Sequence, residues 1–218
     1  MENPWKELIT ENKTFLKSDK KKLEKIKGEV IFKRIYPEPY IGNPEAPIVL
    51  LNLNPGYSEI DHDFYKIKRV YTLWRKNITH KIVSSQYPFY FIDPKIRVYA
   101  GGPCYWRKLF KKLIDDTNLT LVAKKIFCVE YFPYHSKTYK NSFQVPSQKY
   151  SFSLVEQAIT NKALIIILRS EKLWFKSIQR LEGYENRLGL NSKRNVILTE
   201  NNITDNGYMR IIKILKNN

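Results

Sequence analysis

The tripeptide Asn54-Pro55-Gly56 closes an apolar run, Pro47-IVLLNL, and its three residue types together suit a turn that meets a ligand. Proline fixes φ at about −65°. Glycine admits positive φ, so the backbone here can approach a bound group closely. The Asn54 carboxamide then stands at the mouth of the turn with two N–H donors and an acceptor. It can hold a water molecule in place, but it cannot take a proton, so its contribution is positioning. Tyr57 follows at once and offers a face for a planar ring, and Phe132 ends a second apolar run with another. His135, in Pro133-Tyr134-His135-Ser136, supplies an imidazole able to donate to a phosphate or to a leaving base.

Other chemistries find no support in the residue spacing. Ser136 lies in no GxSxG elbow, and no GxxxxGK[ST] or GxGxxG exists for a phosphate loop or a dinucleotide. Asp61-His62-Asp63 reads as a helix cap. His62, His80 and His135 show no ligand spacing, and Cys104 and Cys128 form no CxxC pair. The expectation is therefore two free thiols, no metal and no cofactor.

The elements that must position these residues alternate. Strands are expected at Pro47–Asn54, Lys125–Phe132, Ala163–Leu168 and Asn195–Thr199. Helices are expected at Asp63–Trp74, Tyr105–Asp115, from a Ser153-x-x-Glu156 capping box to Asn161, from Ser170 to Leu181, and at Tyr208–Lys216. Strands separated by helices imply an α/β three-layer sandwich, with a central, mostly parallel sheet of about four strands and helices on both faces. Ligands on such sheets lie at the carboxyl ends of the strands. Residues 1–45 read as a basic helical arm packed on the domain, with Trp5–Lys17 amphipathic and Lys20, Lys21, Lys22, Lys25 and Lys27 behind it. Residues 46–218 form one α/β domain.

The 218 residues carry 38 Lys+Arg against 21 Asp+Glu, a formal charge of +17, which favours a polyanionic partner. Residues 57–106 concentrate aromatic side chains, Tyr99 among them, interleaved with Lys66, Lys68, Arg69, Arg75, Lys76 and Arg97. Stacking faces in a cationic setting suit nucleic acid. Arg69, Arg75, Lys76, Arg107, Lys111 and Arg169 are the candidate phosphate contacts. No apolar stretch is long enough to span a membrane and no secretory signal opens the chain, so a cytoplasmic protein is expected. No obligate protein partner is implied.

The stretch PIVLLNLNPGYS resembles the first motif of the uracil-DNA glycosylase superfamily. It is most similar to the mismatch-specific branch, whose motif reads Gly-Ile-Asn-Pro-Gly. The stretches PFYFIDP, AGGPCYWRKLFKKLI and EYFPYHSK resemble an uncharacterised bacterial protein family of this size. The superfamily resemblance implies its α/β fold and makes Asn54 the water-orienting residue. It places Glu130 where several branches carry an Asn that reads uracil, and an ionised Glu accepts hydrogen bonds only, as from cytosine N4. It sets Asn201 or Asn202 at the second motif, where no His stands, and it places the base against Pro55, Gly56, Tyr57, Glu130 and Phe132. The implied activity is excision of a damaged or mismatched base from DNA, catalysed by Asn54, Asn201, Asn202 and His135. Two alternatives remain open: a non-catalytic nucleic-acid-binding module on the same fold, and an enzyme for a free nucleobase or nucleoside.

Overall fold

The computed structural model describes residues 1–26, 30, 31, 34–96, 101–139 and 144–217. Lys27, Arg97 and Tyr99 lie outside the described residues. In chain order the elements begin with helices α1 (Lys6–Glu11) and α2 (Lys17–Leu23) and strands β1 (Val30–Ile31), β2 (Tyr40–Gly42) and β3 (Ile48–Asn52). Helices α3 (Asp61–Phe64), α4 (Lys68–Ile78), α5 (Gly101–Asp116) and α6 (Leu119–Lys125) follow, then strands β4 (Ile126–Glu130) and β5 (His135–Ser136). The chain ends with α7 (Gln148–Thr160), β6 (Leu164–Ile167), α8 (Glu171–Ser177), α9 (Gln179–Glu182), β7 (Arg187–Leu188) and α10 (Tyr208–Lys216).

The apolar runs form the middle of a five-stranded sheet of order β2-β4-β3-β6-β7. Strands β4, β3, β6 and β7 pair in parallel, while β2 runs antiparallel along the edge of β4, so the sheet is mixed rather than mostly parallel. Leu50 sits opposite Cys128 on one side and Ile166 on the other. Every residue of β3, β4 and β6 is buried. Successive strand residues face opposite sides, so both faces of the sheet's centre are covered. The last helix occupies the expected span, and Tyr208, Ile211, Ile212 and Leu215 form its buried stripe.

Four expectations need correction. Asn195–Thr199 is not a strand, although Val196 and Leu198 are buried. The Asn202 amide takes the carbonyls of Asn195 and Ile197, so a side chain fills the positions a neighbouring strand would use. The short β7 stands beside β6 instead. The helix expected over Asp63–Trp74 is two, α3 and α4, with extended backbone at Ile67 between them. Ser153 caps nothing: it lies inside α7, and its hydroxyl donates back to the Tyr150 carbonyl. The stretch from Ser170 to Leu181 is also divided, into α8 and α9.

Residues 1–45 are tied into the rest by burial and by polar contacts. Trp5, Leu8, Leu16 and Leu23 are buried. The Asn3 amide donates to the Tyr40 hydroxyl at 3.0 Å and to the Ile78 carbonyl at 2.9 Å. The fully buried Asp19 carboxylate accepts from the Tyr134 hydroxyl at 2.7 Å, the Ser147 N–H at 2.9 Å and the Ser147 hydroxyl. Two strands within this segment also join sheets: β2 in the central one, and β1 in a two-stranded ladder with β5. Asp19→Ala strands the Tyr134 and Ser147 donors in a dry setting. We expect a loss of about 3 kcal/mol and a fall in unfolding midpoint of about 6–12 °C, read by circular dichroism.

Candidate functional site

At the carboxyl ends of β3, β4 and β6 the chain leaves a cavity of about 360 Å³. Its walls come from segments distant in sequence, held by a sequence of backbone bonds. The Tyr131 N–H donates to the Asn52 carbonyl, Phe132 to Leu53 and Ser136 to Pro55, which zips the loops after β3 and β4 together. Leu168 and Arg169 both donate to the Leu51 carbonyl and draw the loop after β6 to the same edge. Glu38 arrives from the edge, its N–H on the Pro133 carbonyl. The start of α5 adds Gly101, Gly102, Tyr105 and Trp106.

The Asn54 side chain is fixed. Its Nδ2 donates to the Pro55 carbonyl at 2.8 Å and to the Ser136 hydroxyl at 2.9 Å. Among the described residues nothing donates to its Oδ1, so the acceptor end is the one available to a guest. Pro55, Gly56 and Tyr57 also line the cavity. Gly56 does not use positive φ, contrary to expectation. It is exposed, with open space where a Cβ would project, and its carbonyl accepts from His135 Nδ1 at 2.6 Å. Gly101 is the glycine with a left-handed backbone here: its φ is +66°, and a Cβ would lie 2.4 Å from Asp61 Oδ1. Tyr57 keeps its ring on the wall through a hydroxyl contact of 3.2 Å to His62 Nε2, with the Lys137 ammonium 5.7 Å from the ring centre.

The lining is acidic. Glu130 is 2% exposed and Glu38 and Asp61 are 6% exposed, so three carboxyls share this cavity with the cations Lys137 and Arg169. Burial pushes Glu130 up to about 8, against the opposing Asn52 hydrogen bond and Arg169 charge. Burial also raises Glu38 well above the usual carboxylate range, helped by the charges of Asp61 and Glu130. Asp61 is raised by burial as well, although the Ser58 N–H holds its carboxylate at 2.7 Å. His135, 4% exposed, is lowered by burial to about 4. It is therefore a neutral imidazole with Nδ1–H on Gly56, and its free Nε2 accepts. The expectation that His135 donates to a phosphate or leaving base does not survive this geometry. Nε2 stands 3.7 Å from Glu38 Oε1, outside hydrogen-bond reach, and burial pushes both groups toward their neutral forms. Among the described residues no group of three or more His, Cys, Asp or Glu is arranged to hold a metal ion. Cys104 and Cys128 are both free.

No family model, curated protein or solved structure matches the chain.

Of the candidates expected from sequence, Asn54, Pro55, Gly56, Tyr57, Glu130, His135 and Arg169 meet at this cavity. Phe132 does not line it; it is fully buried and stacked on Tyr139 at 4.7 Å. Asn201 and Asn202 do not line it either. Asn202 is buried in its own loop, accepting from Ser192 N–H at 2.7 Å, while the exposed Asn201 gives its carbonyl to Asn191. Arg69 is paired with Asp93 at 2.5 Å. Arg107 holds the Asp93 and Ile96 carbonyls, and Lys111 pairs with Asp115 one turn along α5. Arg75 lies 5.7 Å from the Tyr71 ring centre, and Lys76 is exposed on α4. Sequence reading missed Glu38, Asp61, Tyr105 and Lys137 as wall residues. The Gly101-Gly102 pair was the available signal for a close approach at α5; nothing local marks Glu38.

The buried acids have a measurable sign. Glu130 holds its proton in the folded chain above its ordinary value of 4.5, so its favourable share of stability is complete at low pH and is lost as pH rises through about 8. From about pH 7.5, where the imidazoles of His80 and His135 are neutral in the unfolded chain as well as the folded one, to about pH 8.5, unfolding free energy should fall. Glu130→Gln should flatten that slope, with Glu38 retaining part of it, in urea titrations at each pH.

Proposed function

We propose that the protein binds nucleic acid, DNA before RNA, admits one extruded base to the cavity, and hydrolyses its N-glycosidic bond with a water held by Asn54. The reading rests on one observation: an asparagine acceptor, immobilised by Ser136 and Pro55, on the wall of a half-open cavity at the sheet's carboxyl edge. The cavity volume is near the lower end of the about 300–1,000 Å³ usual for small-ligand sites, a size for one ring system rather than a polymer. Aromatic side chains Phe64, Phe91, Trp106 and Tyr57 supply stacking surface. Beside it lies a second, open groove of about 940 Å³, lined by Arg34, Lys66 and Lys68 with Tyr36, Tyr65 and Tyr71. Tyr65 meets His135 edge-on at 6.1 Å, and Tyr57 meets His62, so groove and cavity are neighbours. A strand running through that groove keeps its phosphates among cations while the base turns into the acidic cavity.

The chemistry breaks the bond between the sugar carbon and the base nitrogen, the electron pair leaving with the base; water adds to the cationic sugar, and the proton it sheds neutralises the base anion. Asn54 orients that water without taking its proton. Arg169 and the Tyr105 hydroxyl, kept protonated by burial and the Glu130 charge, provide donors for the departing base. The uracil-DNA glycosylase-like fold belongs to this proposal, carried by the Asn54-Pro55-Gly56 resemblance and by the order of elements, and so does a role in DNA repair. Among the described residues no helix is long and apolar enough to cross a membrane.

A second reading has its own support. The phosphate-sized run of cations Arg34, Lys66 and Lys68 lies in the separate groove, while the cavity wall mixes Lys137 and Arg169 with buried carboxyls whose proton affinity is raised, which suits an enzyme for a free nucleobase or nucleoside. Abasic-site formation on oligonucleotides with uracil, hypoxanthine, G·T pairs, or mismatched cytosine or adenine tests the first reading. Asn54→Ala should lower cleavage by about 100-fold while leaving DNA affinity intact. Wild-type protein that cleaves no lesion, with Asn54→Ala binding DNA unchanged, removes the catalytic claim. DNA affinity that barely moves between low and moderate salt removes the phosphate groove and favours the small-molecule enzyme.

A further inference from the structure

Several polar atoms around the cavity are buried without a partner among the described residues: Asn52 Oδ1, Glu130 Oε2, His135 Nε2 and the Tyr105 hydroxyl. Buried polar groups are normally satisfied, so this set describes what a guest must bring. Asn52 and Glu130 face each other across the last rung between β3 and β4, and Asn52 Nδ2 donates to Glu130 Oε1 at 3.1 Å. That bond fixes the orientation of both groups. The amide presents its carbonyl oxygen and the carboxyl its second oxygen. His135 Nε2 is likewise an acceptor, because Nδ1 carries the proton to Gly56.

We propose that the ring admitted by this cavity carries an exocyclic amino group beside a ring nitrogen, as cytosine and adenine do, and that the locked Asn52–Glu130 pair reads it. The inference rests on the base-cavity reading above and names the class of base. An amino group brings two N–H donors and matches two acceptors. A carbonyl at the same place, as in uracil or hypoxanthine, sets lone pairs against lone pairs. The Tyr105 hydroxyl is the donor for the ring nitrogen next to the amine. The groups around Glu130 are Glu38 from the segment before β2, Cys128 on its own strand, Tyr105 from α5, Arg169 after β6 and Asn52 on β3. An amine favours the ionised carboxyl, so binding releases a proton and tightens as pH rises through the Glu130 titration. A carbonyl-bearing ring favours the protonated carboxyl and weakens over the same range.

The test is calorimetric titration of the whole chain with free cytosine, adenine, uracil and hypoxanthine between about pH 6.5 and 8.5. The amino rings should bind about tenfold or more tighter at the upper end, with affinity rising along the series of pH values. Glu130→Gln replaces the free acceptor by an N–H₂ donor, so cytosine and adenine should lose about tenfold while uracil and hypoxanthine gain. If that variant fails to fold, the wild-type discrimination and its pH slope decide alone. Equal or tighter binding of uracil and hypoxanthine overturns this inference and leaves the base cavity standing. Binding of none of the four rings overturns the base cavity with it.

Discussion

The hydrogen bond from Asn52 to Glu130 at the last rung of β3 and β4 is the constraint on which the site depends. It ends two apolar ladders with a pair of polar side chains and keeps a carboxyl in a dry place. The backbone carbonyl of Asn52 takes the Trp174 indole N–H at 3.1 Å and the Tyr131 N–H, so α8 and the loop after β4 are referenced to one residue. A slip of one residue between the strands would turn Glu130 to the other face of the sheet and leave Asn52 without its partner. Every residue before that rung is apolar and buried in both strands, so no in/out alternation sets the register there and the polar pair at its end does.

How much of this was legible from the sequence varies with how local the cause is. The strands β3, β4 and β6 announce themselves as continuous aliphatic runs, and α10 by its 3.6-residue stripe. Asn54 was marked by the Pro-Gly that follows it. The division into α3 and α4 was not legible, since Ile67 looks like one more member of a helical stripe yet is exposed at the break. Asn195–Thr199 reads as a strand because Val196 and Leu198 are apolar and buried, but the deciding group is the amide of Asn202, beyond the segment itself. Glu38 reaches the cavity through an antiparallel edge strand of three residues, Tyr40–Gly42, too short to carry a period. The ion pairs of two candidate cations were not legible for a related reason: Arg69 and Lys111 meet acids that their own segments supply or fold against.

Charge in this molecule is organised on two scales. The chain as a whole carries +17, while the cavity gathers Glu38, Asp61 and Glu130. The long-range field attracts anions, while the carboxyls set the polarity of the cavity wall. Burial raises the proton affinity of all three carboxyls, so the cavity's polarity responds to pH as well as to fixed charge.

The ladder between β1 and β5 sets Ile31 opposite His135 and Val30 opposite Ser136, the residue whose hydroxyl holds the Asn54 amide. A chain emerging from the ribosome therefore carries an early strand with nothing to pair with until more than half of the polypeptide has been made, and Arg169 arrives later still. The cavity is in this sense a late product of synthesis, assembled from contacts of long sequence separation. A fragment ending just before residue 135 would keep β3 and β4 and lack His135, Ser136, Lys137 and Arg169 from the wall.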